Sequence, residues 1–581
     1  FNPVLGRSEE NMTLLLDLIE RAAREGAQLV VAPEMAPCGY CFFDREEIAP
    51  YVEPVPGPMT LRLEDVAKRY GCWIVCGLAE VDPDTELYYN TAVLVGPQGL
   101  IGKYRKVHFF ASDAKWGIEG DLGFPVWETP IGRIGIEICM DATYPESGRL
   151  LAMQGADVIC FPTNWVGDDC PNGRWISQAF ENGVYWVAAN RSDVERGMQF
   201  TAGSCIVEPD GSLQAVAGEG EEVLFGEIDL ERTAQRRYEE SGSEDKLADR
   251  RPELYREMLR NTYTWSPPYF QTLYGVPGLP EPRRDRVGAL QVLPVRGNRQ
   301  RNIDNIQQLL GDERLDLAVL PELALSGFPD SRAEAGEWCD WDGDVAILRA
   351  LAEERKTLIA TSLIERREDT LFNMAVLVGP DGVLLATRKS HLTRDDRPWA
   401  SPGFEPPRTV DTPLGRIGLL AGYDALFWEM ERVLATLGAD LICIPAALRW
   451  PRPVPLWGNQ AWIHWRWKAW ESCVALAVAN YPGPEYAGGS GIWMPHVREN
   501  RSQEWVSGRE GDALAIGEVD TGSKYIREKR GLSWRRLQWY TPLVLRPESL
   551  RAEGLRDDRY TAVRADRAHE HADTLRGRGT E

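Results

Sequence analysis

Three side chains able to take part in covalent acyl chemistry stand where short apolar runs end. Glu34 follows the apolar run in LVVAPEM, Lys106 lies in GKYRKVHFF, and Cys139 closes GRIGIEIC. A cysteine nucleophile needs a base to take its proton and a cation to hold the oxyanion that its attack creates, and this set supplies one of each. Taken singly, each has an ordinary explanation: a solvated acid after a strand, a surface lysine in a basic run, a core thiol. Strand ends of layered α/β proteins are, however, where side chains from separate segments meet. Other cysteines do not suggest a metal. Cys38 and Cys41 have CxxC spacing, but Cys72 and Cys76 follow as CxxxC inside an apolar run, which reads as buried thiols rather than the second half of a zinc site. The six histidines form no cluster with metal-ligand spacing.

The elements that must position these residues alternate. Apolar, β-branched runs at 27–32, 73–78, 91–95, 134–138 and 158–161 predict buried strands. Residues 8–25 predict a helix, with Ser8 as N-cap, Glu9 and Glu10 in the first turn, Leu14, Leu15, Leu18 and Ala22 on one face, and Gly26 ending it. Strands alternating with helices argue a layered α/β domain.

The chain carries that domain twice. AVLVGP occurs at 92–97 and 375–380, GADVICFP at 155–162 answers GADLICIP at 438–445, and GRIG stands at 132–135 and 415–418. All three pairs share an offset of 283, which marks an internal duplication. The predicted division is a first domain at 1–262, a linker rich in proline, glycine and charge at 263–286, a second domain at 287–550, and a polar mobile tail at 551–581. PVRG at 294–297 aligns with PVLG at 3–6, yet a strand-like run at 287–292 precedes the former and two residues precede the latter. The expectation is a first copy whose opening strand is truncated.

The second copy repeats the acid and the lysine as Glu322 in VLPELAL and Lys389 in ATRKSHL. The position 283 residues beyond Cys139 is Gly422, in GRIGLLAGYDALFWE, and Cys443 is the counterpart of Cys160. A hydrogen side chain is no nucleophile, so by this chemistry the second copy is inert.

PE after a strand, YRKVHFF and GRIGIEICMDATYPE, in that order, resemble the three signature blocks of the nitrilase superfamily, the carbon–nitrogen hydrolases. The resemblance implies an α/β fold of two αββα four-layer sandwich domains in tandem, paired as an intrachain pseudo-dimer, with further homo-oligomerisation open. It implies Glu34 as general base, Lys106 as the oxyanion-side cation, Cys139 as nucleophile and the Met140 backbone N–H as oxyanion donor, with neither metal nor cofactor. Many members carry one more acid between the lysine and the cysteine; Asp113 and Glu119 compete for that place, and matching through GDLGFPV at 120–126, which is similar to the D-carbamoylase branch, favours Asp113. Met140-Asp141 after the cysteine is closer to amidases and carbamoylases than to nitrilases. The expected substrate is therefore a small amide or N-carbamoyl compound, hydrolysed through a thioester, with nitrile hydrolysis or acyl transfer as alternatives and a non-catalytic metabolite-binding or scaffold protein as the reading from another class. Tyr40, Phe42, Asn164 and Trp165 are candidate pocket walls, with packing under loops as the equal alternative.

Composition sets the outer bounds. The 581 residues carry a formal charge of −23, with 43% hydrophobic and 26% charged side chains, a balance that fits globular domains with substantial cores. Such an acidic chain repels phosphate backbones and anionic lipid heads, so nucleic acid and membrane surfaces are not expected partners. Odd-numbered, irregularly spaced cysteines and no leader-like opening point to a reduced, cytoplasmic setting.

Overall fold

A computed structural model describes residues 1–167, 170–239, 242–260, 283–456, 459–496, 501–520, 532 and 534–545. The chain divides into two compact units.

In the first unit one sheet is built from β1 (Leu29–Val31), β2 (Trp73–Val81), β3 (Tyr88–Gly96) and β4 (Gly99–Arg105), in that order. β1 is parallel to β2 and the remaining pairs are antiparallel. β2 is buried from Trp73 to Glu80, as a strand covered on both faces must be. Helices α1 (Ser8–Arg24), the short α2 (Arg45–Ile48) and α3 (Pro58–Tyr70) precede β2 in the chain. α1 and α3 cover one face of the sheet through Met12, Leu15, Ile19, Leu63 and Val66. The second sheet comprises β5 (Val126–Thr129), β6 (Gly132–Ile136), β7 (Val158–Pro162), β8 (Tyr185–Ala189), β11 (Cys205–Val207) and β12 (Leu213–Val216), ordered β12-β11-β8-β7-β6-β5. β9 (Val194–Glu195) and β10 (Met198–Gln199) form a separate hairpin. β1 and β2 pack on β7, and α4 (Pro145–Met153) with α5 (Gly173–Asn182) flanks the second sheet. The layers run α-β-β-α.

The second unit repeats the plan. Its first sheet runs β17 (Gly382–Arg388), β16 (Thr370–Gly379), β15 (Leu358–Arg367), β14 (Leu317–Val319), β13 (Arg284–Gln291), β26 (Ala513–Asp520). Its second runs β18 (Thr409–Thr412), β19 (Gly415–Leu419), β20 (Leu441–Pro445), β23 (Ala475–Ala479), β24 (Gly491–His496), β25 (Arg501–Val506), with β21 (Val454–Leu456) and β22 (Asn459–Ala461) as a hairpin. Between the two sheets Val287, Ala289 and Leu377 meet Ile417, Leu441 and Ala477, a core whose buried aliphatic side chains each contribute about 1.5–3 kcal/mol.

Several expectations need correction. Ser8 does not cap α1: it is the first helical residue, Arg7 holds the cap position, and no side-chain cap bond forms. The buried stripe is Met12, Leu15, Ile19 and Ala22, whereas Leu14 is 48% exposed, because residues three and four apart share a face and Leu14 lies one residue off that stripe. The predicted linker overruns a strand, since β13 begins at Arg284. Residues 263–282 of the linker, the last two residues of the predicted first domain and the whole 551–581 tail lie outside the described residues. The first sheet of the first unit has four strands where the second unit has six. In the second unit β13 lies between β14 and β26; in the first, residues 222–229, whose GEID at 226–229 matches GEVD at 517–520, form no strand.

The largest departure concerns the ends of the copies. Among the described residues, the first unit consists of Phe1–Arg237, Asp245–Ala248 and 535–545, and the second of Tyr238–Glu244 and the described part of Asp249–Trp534. The segment that follows each copy therefore belongs to the unit of the other. Buried polar contacts fix it there: Arg250 pairs with Glu429 at 2.6 Å, both fully buried. No helix among the described residues is long and apolar enough to cross a membrane.

Candidate active site

Glu34 follows β1 at a point where two backbones nearly touch. A Cβ at Gly77 of β2 would stand 2.6 Å from the Glu34 Cα and 2.8 Å from the Met35 nitrogen, so only glycine admits this approach. The Ala36 N–H donates to the Gly77 carbonyl at 3.0 Å, locking the strand end in place.

The carboxylate so placed meets Lys106, which follows β4. Lys106 Nζ donates to Glu34 Oε1 at 2.8 Å and to Asp113 Oδ2 at 2.7 Å, and all three side chains are fully buried. Asn90 of β3 bridges the same two acids, its Nδ2 donating to Glu34 Oε1 at 2.7 Å and Asp113 Oδ1 at 2.8 Å. Asp113 also accepts from the Tyr40 hydroxyl at 3.2 Å and the Phe110 N–H at 2.9 Å. The second Glu34 oxygen accepts from the Asn164 N–H at 2.9 Å, while Asn164 Nδ2 donates to the Glu34 carbonyl at 2.9 Å. Every hydrogen bond fixes the acid–lysine–acid group in one arrangement, as burial of charge demands.

Cys139 opens a 3₁₀ turn (Cys139–Thr143) after β6, with φ +47° and 6% exposure. A residue with a β-carbon in the left-handed region stores about 1–2 kcal/mol of strain, and strain of this kind persists only where the surroundings enforce it. Here Asp141 enforces it, its Oδ2 accepting from the Ile138 N–H at 2.9 Å and the Tyr104 hydroxyl at 2.7 Å. The first N–H groups of such a turn, that of Met140 among them, have no partner within it.

Electrostatics follow from the burial. Burial works against the Lys106 ammonium, but Asp113 and Glu34 outweigh it and hold the amine above its ordinary range. Burial pushes the Glu34 carboxyl up, with Lys106 pulling against it. The Cys139 thiol is pushed up by burial and by the charge of Glu34, opposed by Lys106. A thiol so held is protonated at neutral pH, so it becomes a nucleophile only by giving its proton to a base in place.

The second unit shows the same site without its sulfur. Lys389 Nζ lies 2.5 Å from Glu322 Oε1 and 2.7 Å from Asp396 Oδ2, and Asn373 Nδ2 donates to the same two acids at 2.7 and 2.9 Å. Gly422 has φ +42°, and a Cβ there would stand 2.3 Å from Glu322 Oε2 and 3.3 Å from Lys389 Nζ. The position equivalent to Cys139 thus faces the acid and the lysine, and in the second unit the acid has taken up the vacated space.

Of the remaining sequence candidates, the structure brings Asp113 to the lysine and sends Glu119 to Arg536, whose Nε lies 2.6 Å away. Tyr40 and Asn164 hold Asp113 and Glu34. Phe42 packs on Tyr51 with ring centroids 5.5 Å apart, and Trp165 on Trp175 at 5.6 Å, so what the structure gives both is packing. Asn90 escaped the sequence reading, although a signal existed: it and Asn373 stand at the shared offset of 283, two residues ahead of each AVLVGP. Glu195 escaped it too. Its Oε1 accepts from the Tyr40 and Cys41 N–H groups at 2.9 and 2.6 Å, and its Oε2 from Arg191 at 3.0 Å. Glu195→Ala leaves two buried N–H groups without that acceptor, at about 1–3 kcal/mol each. A lower urea midpoint with reduced turnover is expected, and an unchanged midpoint would show that the Tyr40 loop is held by other means.

The sequence is similar to those of known proteins. The chain is 42% identical over 256 residues to a nitrilase of Pyrococcus abyssi, covering 44% of this chain and 96% of that protein. It is 34% identical over 243 residues to the omega-amidase NIT2 of Xenopus tropicalis, covering 39% and 85%. The crystal structure of Saccharomyces cerevisiae Nit3, a member of branch 10 of the nitrilase superfamily, is 28% identical over 40% of this chain and 88% of that one, with a TM-score of 0.36. The carbon-nitrogen hydrolase family model matches residues 2–238 and again 286–522. The chain belongs to the carbon–nitrogen hydrolase family of the nitrilase superfamily and carries its domain twice.

Proposed function

We propose that the first copy hydrolyses the C–N bond of a small linear amide or N-carbamoyl compound through a thioester on Cys139, and that the second copy is catalytically inert. The observation that carries this reading is the fully buried Glu34–Lys106–Asp113 group, matched in the second unit at a position where glycine replaces the sulfur. Glu34 takes the thiol proton as the sulfur attacks the carbonyl carbon. Lys106 and the Met140 N–H receive the oxyanion, where one donor is worth about 3–4 kcal/mol. Protonated Glu34 gives its proton to the departing amine, and a water that it then deprotonates releases the acid. Asp113 and Asn90 keep Lys106 charged and directed. The similarity to an omega-amidase supports an amide over a nitrile; the similarity to a nitrilase keeps nitriles in the test.

The pH profile follows from Glu34. Its carboxyl must be ionised to accept the thiol proton, and burial raises its pKa. Activity is therefore lost as pH falls through a value above the ordinary carboxylate range of about 4.3. A kcat/KM profile flat down to that range would contradict the assignment of Glu34 as base.

The reading is tested by ammonia release from aliphatic amides, N-carbamoyl amino acids and nitriles, with intact-mass and peptide-level location of any adduct. Turnover with an acyl group on Cys139 supports it, and the best substrate identifies the branch. No turnover and no adduct across the set would leave a binding protein, while an adduct that water does not clear would point to acyl transfer.

A further inference from the structure

The same turn that carries Cys139 is tied to a segment that lies beyond the second copy. Asp141 Oδ1 accepts from the His108 backbone N–H at 2.9 Å and from His108 Nδ1 at 2.8 Å. With Nδ1–H committed to a carboxylate, Nε2 is left to accept, and the Tyr540 hydroxyl donates to it at 2.6 Å. Tyr540 is fully buried, and His108 stacks on Tyr144 with centroids 4.1 Å apart. Two further contacts seat the segment. Arg536 pairs with Glu119, and a Cβ at Gly123 would stand 3.2 Å from the Trp539 ring. GDLGFPV therefore borders this segment. The second unit repeats the geometry with the segment that follows the first copy, the Tyr255 hydroxyl lying 3.1 Å from His391 Nε2 and His391 Nδ1 2.7 Å from Asp424.

We propose that Tyr540 is a positioning residue for the Cys139 turn, acting through His108 and Asp141, so that the chemistry of the first copy depends on chain that follows the second. Asp141 holds the turn only while its own orientation is fixed, and its carboxylate is held by His108 on one oxygen and by Ile138 and Tyr104 on the other. Removing the Tyr540 hydroxyl leaves a buried imidazole nitrogen without its donor, and the ring, the carboxylate and the turn are free to shift together. A displacement of a fraction of an ångström at the sulfur is enough to lower kcat while the substrate still binds. The inference rests on Cys139 being the nucleophile, as proposed above.

The test uses the full-length chain and compares wild type, Tyr540→Phe, Tyr540→Ala and, as a control in the unit without a nucleophile, Tyr255→Phe. Three readouts are taken: kcat and KM on the best amide, the rate of Cys139 alkylation by iodoacetamide across pH, and amide hydrogen exchange over residues 138–144. Tyr540→Phe is expected to lower kcat by about fivefold to a hundredfold, with KM within about twofold and faster exchange in 138–144. Tyr255→Phe is expected to match wild type. Tyr540→Phe indistinguishable from wild type, or altered in KM alone, overturns the inference. If wild type neither turns over nor alkylates at Cys139, the proposed function fails instead, and exchange in 138–144 still decides between a clamped turn and an independent one.

Discussion

Cys139→Ala lowers turnover by at least about 10⁴-fold and abolishes any acyl adduct, while the protein remains folded. The size of the loss follows from the division of labour in the site. Lys106 and the Met140 N–H can still polarise a carbonyl, but Glu34 then has only water to activate, and no covalent intermediate splits the reaction into two easier steps. The effect on folding is small by comparison. Alanine keeps the β-carbon at φ +47°, so the strained turn is unchanged, and loss of one buried sulfur costs on the order of 1 kcal/mol. The measurement is turnover on the best amide beside a urea denaturation of the same preparation. Residual activity above one part in about 10³, with an unchanged midpoint, would place the nucleophile elsewhere; equal loss of activity and of folding would leave the chemistry unassigned to this sulfur.

The legible and illegible parts of this protein divide along physical lines. Strands β2, β7 and β20 read directly from their apolar runs because they are buried on both faces and tolerate little else. The acid, the lysine and the sulfur were legible because each follows the end of a strand, and the duplication was legible because three segment pairs, the lysines and the Cys139–Gly422 pair share one offset of 283. Asn90 was not, because an asparagine inside a strand has no periodic signature; only its recurrence as Asn373 marks it. Asp113 was favoured over Glu119 in the sequence by the match through GDLGFPV; the structure brings Asp113 to the lysine and pairs Glu119 with Arg536 from far along the chain. The exchange of the segments after each copy was beyond any reading by local pattern, because it depends on which unit a short stretch packs against and not on what that stretch forms.

The second copy sharpens the reading of the first. It keeps Glu322, Lys389, Asp396 and Asn373 in the arrangement of Glu34, Lys106, Asp113 and Asn90, and burial pushes Glu322 up to about 7 against the pull of Lys389. With no sulfur there, that group persists as a buried hydrogen-bonded knot at β14, β16 and β17. Its polar members cannot be lost one at a time without stranding the others. The same constraint acts on the first copy in addition to any demand of the proposed chemistry, so the acid–lysine pair alone distinguishes the two copies less than the residue at position 139 does.

Lys106→Met therefore damages two things at once, and they separate experimentally. The ammonium lies 2.8 Å from Glu34 and 2.7 Å from Asp113, all three fully buried, so its removal leaves two carboxylates facing each other without a cation. Breaking a buried ion pair from one side costs about 3–5 kcal/mol. Activity falls further than stability explains, because the oxyanion also loses a donor worth about 3–4 kcal/mol, a factor of about 10²–10³. The stability loss depends on pH. Glu34 is raised by burial even beside the lysine; without it the carboxyl rises further, and a carboxyl whose folded pKa exceeds its unfolded one destabilises the fold as pH climbs through that window. The stability difference between Lys106→Met and wild type should accordingly shrink between pH 8 and pH 5. Adding Asp113→Asn to Lys106→Met removes one of the two stranded charges, so the double variant should recover part of the lost stability and none of the lost turnover. Urea midpoints at the two pH values, with kcat on the same samples, decide the matter. Independent, additive losses in the double variant would show that the three groups do not act as a unit, and recovery of turnover with stability would show that Lys106 serves the fold and not the oxyanion.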